Sequence, residues 1–195
     1  MPSRTPGADL RTFLRRLPVA LAAAVAIWFA VRPAYDPALC AAAQALARFG
    51  EVPAASLVVR QGSNALLGRS DMRADSGWLK VPLTQIDFNL VPFLALVFAL
   101  PGWLAGRGWR RLLAALGVLA ASHVLGLVWQ LKALEALAMG PWSRATYSDL
   151  ARNVYGTLQY FFEIPVTFAL PLVLWVGAYP EKVFKLAGIA SPAER

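Results

Sequence analysis

One cysteine and one histidine, Cys40 and His123, limit the chemistry this sequence can attempt. A thiol nucleophile needs a neighbouring base and a lowered pKa. Cys40 lies in an alanine-rich helical stretch, ALCAAAQALA, with no polar group beside it, so the pattern favours an inert packing thiol. His123 interrupts one apolar run and Glu163 another. Ionisable groups inside a membrane span cost about 3 kcal/mol on insertion scales, so each needs a partner. At about 1.5 Å per residue the two fall at similar depth, which allows a His123–Glu163 pair. Such a pair would relay protons, receive a polar ligand, or lock two helices by a hydrogen bond, and the lock is the simplest of these.

Asp87, Asn89 and Gln130 stand at the outer ends of neighbouring apolar runs and complete a candidate polar cluster of Asp87, Asn89, His123, Gln130 and Glu163. Most Asp-x-Asn pairs at a span end cap the helix or meet water. An intramembrane enzyme or transferase would have to draw on Cys40 or on the His123–Glu163 pair. A small transporter subunit should carry broken half-helices and an inverted repeat, and neither is evident. A protein-built metal site is not expected from a single Cys and a single His. No GxGxxG, P-loop or GxSxG pattern occurs, so no cofactor is implied.

The elements that must position these groups are mostly apolar. The chain has 195 residues, of which 58% are hydrophobic, and its mean hydropathy is +0.52. That is too apolar for an ordinary water-soluble core. The net charge of +8 would suggest nucleic acid in a soluble protein. Here it raises the distribution of charge across a bilayer instead, and no nucleic-acid partner is expected.

Residues 1–16 form a basic tail ahead of a first span at 17–35, flanked by Trp28 and Tyr35 as interfacial anchors. A signal peptide also begins this way, but Phe29-Ala30-Val31-Arg32-Pro33 lacks a small-residue cleavage site and Leu39 precedes Cys40, so an uncleaved helix is expected. Residues 36–86 read as an extracytoplasmic segment. Asp36-Pro37 opens a surface helix with Leu39, Cys40, Ala43, Leu46 and Ala47 on one face and a stop at Gly50. Short strands at 56–60, 65–69 and 78–83 follow, the first two joined by a turn at Gly62-Ser63-Asn64. A second span occupies 87–105 and a third 112–131, joined by the loop 106–111. A second outer segment covers 132–157, broken at Gly140-Pro141, with Ser143 or Thr146 as a helix cap. The last span, 158–179, precedes a tail at 180–195.

The expected architecture is an all-α membrane protein with four transmembrane helices and a small extracytoplasmic α+β segment of short antiparallel strands. Charge orients it. The pieces 1–16, 106–111 and 180–195 hold ten Lys or Arg against three acids, whereas the rest holds nine against eight. By the positive-inside rule those three pieces face the cytoplasm of a bacterial inner membrane, and both termini with them. Arg107, Trp109, Arg110 and Arg111 in the short loop are the strongest single signal, serving as topology marker and lipid anchor.

The layout resembles the exosortase H-associated family of small bacterial integral membrane proteins. The resemblance lies in the exit from the first span at Trp28 to Tyr35, a strand-rich outer segment, FNLVPFLALVFALPGW, RRLLAALGVLAASHVLGLVWQLK and the late span QYFFEIPVTFALPLVLW. It implies a non-catalytic accessory role beside an exosortase-type membrane transpeptidase, with no catalytic residues to carry over. Exosortases themselves have about twice as many spans and a Cys/Arg/His set at span ends, a position Cys40 does not occupy.

Overall fold

The computed structural model describes residues 6–49, 51, 54–72 and 77–189. In chain order these form α1 (Pro6–Phe49), β1 (Ser56–Gln61), β2 (Asn64–Arg69), β3 (Leu79–Pro82), α2 (Leu83–Asp87), α3 (Leu90–Ala99), α4 (Gly108–Ala138), α5 (Pro141–Thr146), α6 (Asp149–Phe161), a π-helical turn (Phe162–Val166), α7 (Thr167–Ala178) and α8 (Pro180–Leu186). Helix dominates and the strands make one small antiparallel sheet, as expected.

Three helices are long and apolar enough to cross a membrane: Asp9–Phe49, Gly108–Ala138 and Asp149–Ala178. The second of the four expected spans differs. α3 itself has ten residues, and even the whole apolar helical stretch Leu83–Ala99 is about 25 Å long against a hydrocarbon core of about 30 Å. The reason lies in its flanks. Pro101 disfavours the helical conformation for the residue before it, and Leu100 is extended at ψ 127°. At the other end α2 and α3 are separated by a turn at Phe88-Asn89.

The break expected at Asp36-Pro37 is absent, because α1 runs unbroken for 44 residues through Pro18, Pro33 and Pro37. Its expected stop at Gly50 and the outermost residues of both tails lie outside the described residues. The last long helix accommodates proline differently. Around Pro165 the backbone widens into the π-helical turn, and Thr167 Oγ1 donates to the Phe162 carbonyl at 2.9 Å. A side-chain donor thereby satisfies a carbonyl in the widened turn. Neither Ser143 nor Thr146 caps the helix after the Gly140-Pro141 break. Ser148 does so for α6, accepting from the Ala151 N–H.

Contacts divide the chain into two compact units, one of residues 1–30, 89–119 and 168–195, the other of residues 31–88 and 120–167. The first is built on α3. Its sequence, LVPFLALVFA, is apolar all round, which suits a helix buried on every side. Val91, Phe93, Leu94, Val97 and Ala99 are buried against Phe13, Ala20 and Ala24 of α1 and Ala115 and Leu119 of α4, with Leu170 and Leu174 of α7 packed at the margin. Tyr179 is buried in the same core and donates its hydroxyl to the Gly108 carbonyl at 3.0 Å.

The second unit holds the sheet, in the order β1-β2-β3. Gly62 and Ser63 form a two-residue turn between the paired Gln61 and Asn64. Gly62 has φ 61° and, among the described residues, no non-glycine residue has positive φ, the signature of a type II′ hairpin. Strand alternation puts Val58, Ala65, Leu67 and Val81 into a core with Leu39, Cys40 and Ala43 of α1 and Leu127, Val128 and Leu131 of α4. The edge of β1 is covered by α1. The Val58 N–H donates to Gln44 Oε1 at 2.7 Å, and Arg48 Nε donates to the Ser56 carbonyl at 2.6 Å. Covering an edge in this way also blocks pairing with another chain.

The close approach at Gly108 supplies a test of the first unit. A Cβ there would lie 1.9 Å from the Trp103 carbonyl oxygen, whereas one at Gly117 would meet nothing within 4 Å. Gly108→Ala should lower the thermal unfolding temperature in detergent by several degrees. Gly117→Ala should leave it unchanged or raise it, since alanine is favoured over glycine in a helix by about 1 kcal/mol.

Candidate functional site

The sheet's inward face carries an arginine near each end, and around each arginine is a buried group of charges. Ser56 pairs with Arg69 across β1 and β2, Val58 with Leu67, and Arg60 with Ala65, all in the register that faces the core. The two arginines are thus separated by a strip of apolar side chains.

Around Arg69 the central group is Glu135, with 0% exposure. Its Oε1 accepts from Ser56 Oγ at 2.6 Å and Arg69 Nη1 at 3.1 Å. Its Oε2 accepts from Lys132 Nζ at 2.9 Å and Tyr147 Oη at 3.0 Å. Arg69, Lys132 and Tyr147 each have a proton for Glu135, and Ser56 shares its single hydroxyl proton between Glu135 and Glu51. Glu51 completes the group. It is in contact with Lys132 Nζ and Ser56 Oγ and accepts from the backbone N–H groups of Ala55 and Ser56 at 3.1 and 3.0 Å. Ser56 has one hydroxyl proton and touches both carboxylates, so Lys132 and Arg69 supply most of the attraction that holds Glu51 and Glu135 near each other.

Arg69 is also forked onto Asp71, Nε to Oδ1 and Nη2 to Oδ2 both at 2.9 Å, and its guanidinium lies 4.6 Å from the centre of the Trp142 ring. This is the geometry that favours Arg over Lys. Two groups close the end of α4. Ser143 Oγ donates to the Glu135 carbonyl at 2.6 Å, and Arg152 Nε donates to the Ala136 carbonyl at 3.2 Å. These are carbonyls a helix end leaves unsatisfied.

The pKa shifts follow this arrangement. Burial alone would raise the Glu51 carboxyl, but hydrogen bonds from Lys132 and Ser56 outweigh it and hold the group down at about 2. Burial opposes the Arg69 charge, yet Asp71, Glu135 and Glu51 together push its pKa above the ordinary arginine value. Burial, and then the Glu135 carboxylate, raise Tyr147 well above a free phenol, which keeps it a donor.

The second group forms around Arg32, which lies 3.4 Å from Asp36, one turn along α1, and 3.5 Å from Asp87 at the end of α2. Arg60 reaches Asp36 at 3.4 Å. Asp36 and Asp87 are each 0% exposed. Tyr35 Oη lies 2.6 Å from His123 Nδ1, with the rings edge-on, and the fields of Asp87 and Asp36 reach the Tyr35 hydroxyl.

The sequence-derived candidates are therefore divided. Asp87, His123, Gln130 and Glu163 lie in the second unit and Asn89 in the first. Asp87 and Asn89 are buried, Asp87 engaged with Arg32 and Asn89 making no side-chain cap, so neither expectation for an exposed Asp-x-Asn pair is met. Gln130 is buried as well. His123 is joined to Tyr35, and Glu163 sits half-buried in the π-helical turn. Cys40 is buried among apolar side chains, as expected of a packing thiol, but it is not remote from charge, because the fields of Asp36 and Arg60 reach it. Among the described residues no three His, Cys, Asp or Glu are grouped to hold a metal ion. Arg107, Trp109, Arg110 and Arg111 are exposed, with Arg110 5.2 Å from the Trp109 ring centre.

Sequence reading missed both charged groups. Their local signals were present as Arg32/Asp36 at i,i+4 and Lys132/Glu135 at i,i+3. Their long-range partners, Arg69, Glu51 and Asp87, carried no such mark. Comparison of the chain with protein families, with curated proteins and with solved structures finds no match.

Two measurements test the Glu135 group. Glu135→Gln removes one of the two anions that Arg69 and Lys132 share, the other being Glu51, and should cost about 3 kcal/mol of stability. Asp149→Asn, at a pair whose acid is 96% exposed, should change it by less than about 0.5 kcal/mol. The second concerns pH. The folded Glu51 pKa of about 2 lies below its ordinary 4.5, so its contribution is complete above pH 4.5 and is lost as pH falls toward 2. Unfolding temperature in detergent should therefore drop through that window, and drop less in Glu51→Gln.

Proposed function

We propose that this chain is a non-catalytic accessory protein of the bacterial inner membrane, with residues 36–86 and 132–157 outside the membrane and both termini in the cytoplasm. The supporting observation is a coincidence of two independent partitions. The pieces that charge assigns to the cytoplasm, 1–16, 106–111 and 180–195, all belong to one compact unit, and both pieces assigned to the outside belong to the other. A topology with its ends on opposite sides gives no reason for that agreement.

In this reading α3 is a fourth, internal crossing. A short helix flanked by turns is tolerated at membrane depth where protein surrounds it, and α3 is enclosed by α1, α4 and α7. At about 66 Å, α1 is twice as long as a hydrocarbon core.

The accessory role rests on how the ionisable groups are used. Glu135, fully buried in the outer segment, is engaged by Arg69, Lys132 and Tyr147 and shares Ser56 with Glu51, and Cys40 is packed in the core. The partner suggested by the resemblance is an exosortase-type transpeptidase, contacted through the outer segment. An intramembrane enzyme using Cys40 or Glu163 is the competing reading.

Thiol labelling from outside the cell, in a Cys40→Ala background, should reach Ser70→Cys and fail at Ala105→Cys; the reverse pattern overturns the topology. In cells that process C-terminal sorting signals, removing the protein should impair processing, and Cys40→Ala or Glu163→Gln should restore it like the unaltered chain. Loss of processing by either variant while the protein still accumulates in the membrane would favour the enzyme.

A further inference from the structure

In the first unit α4 and α7 leave a groove open along one side. Its volume is about 520 Å³, within the roughly 300–1,000 Å³ range of small-molecule clefts. The walls are aliphatic, formed by Ala114, Val118, Val173, Leu174 and Gly177, and Arg111 stands at one end. Small residues create the space. A Cβ added at Gly177 would meet nothing within 4 Å. The walls are exposed, Val118 at 50% and Val173 at 63%, so in water this groove would be a costly apolar surface.

The basic end is what selects an occupant. Arg111 is exposed, and its one bond, to the Ala178 carbonyl at 3.4 Å, uses a single N–H of five. Lys182 is close enough that, after burial, the Arg111 field lowers its pKa. Arg107 and Arg110 precede Arg111 within four residues, while the acids near Lys182 are Glu181 and Asp9, the latter paired with Lys185 at 3.0 Å. From Arg111 to Val118 the groove follows two turns of helix, about 10 Å, the arrangement that takes a hydrocarbon chain with an anion at its head.

We propose that this groove binds one anionic glycerophospholipid, an acyl chain lying between α4 and α7 and its phosphate at Arg111. The proposal rests on the membrane reading given above and adds a defined, selective lipid site to it. Exposed basic residues near a bilayer attract anionic lipid anyway. What distinguishes this site is that a single lipid is retained and that the aliphatic walls are needed as well as the charge.

The test uses the full chain, extracted in detergent and examined by native mass spectrometry with equal amounts of phosphatidylglycerol and phosphatidylcholine. The unaltered protein should retain one phosphatidylglycerol in preference to phosphatidylcholine by about fivefold, the factor given by about 1 kcal/mol for a basic group beside anionic lipid. Arg111→Gln should abolish that preference while keeping lipid bound, and Arg110→Gln should preserve it. Gly177→Leu puts a side chain into the groove from a position whose Cβ meets nothing within 4 Å, and should abolish retention of both lipids while leaving the unfolding temperature unchanged. Equal retention of the two lipids by the unaltered protein, or retention indifferent to Gly177→Leu, overturns the site. Carbonate extraction separates the two levels of the argument. A chain that stays with the membrane but shows no lipid preference defeats only the groove, and a chain released to the supernatant defeats the membrane reading and the groove together.

Discussion

A buried carboxylate that needs four donors holds the second unit together. Glu135 is fully removed from solvent, and taking such a charge out of water costs several kcal/mol unless hydrogen bonds and countercharges replace the lost hydration. Its donors come from β1, β2, α4 and the turn between α5 and α6, through Ser56, Arg69, Lys132 and Tyr147. No one of these elements can dock correctly unless the others do. The pair is therefore better regarded as fixing which arrangement forms than as a large source of net stability, since apolar replacements of buried ion pairs are often as stable.

The sheet depends on this constraint because it is small. Three short strands with one buried face are marginal alone. Its apolar strip of Val58, Leu67 and Val81 packs on α1 and α4, while the arginines near either end of that strip reach Glu135 and Asp36. A slip of one residue in register would turn both arginines and the whole apolar strip to the opposite face. The hairpin glycine and the two charged groups thus specify the same register from separate causes.

In the first unit the constraint is steric. A helix apolar on all sides is buried within α1, α4 and α7, and Pro101 ends it by denying Leu100 a helical conformation. The chain then turns through residues 101–107, with Gly102 and Gly106 at positive φ, before Gly108 begins α4 against the Trp103 carbonyl. Lys182 donates to the carbonyls of Pro101 and Gly102 in that turn, and so supplies partners where regular helix does not.

Periodic and local features were legible in the sequence. The strand limits, the hairpin at Gly62, the break at Gly140-Pro141, the apolar runs of α1, α4 and α7 and the packing role of Cys40 each follow from patterns a few residues long, or from one residue's backbone preference. Where the sequence misled, a local signal lost to packing. Asp36-Pro37 resembles a helix start, yet α1 continues through it, because Asp36 is held between Arg32 on its own helix and Arg60 from the sheet. The long apolar run at 90–105 resembles a full span but contains a proline that stops the helix. The functional candidates were less legible than the fold. The bond from Tyr35 to His123 was not foreseen, and neither buried charged group was foreseen as a whole. A residue's charge is written in the sequence, but its partner is set by which faces of distant helices and strands meet, and only tertiary structure decides that.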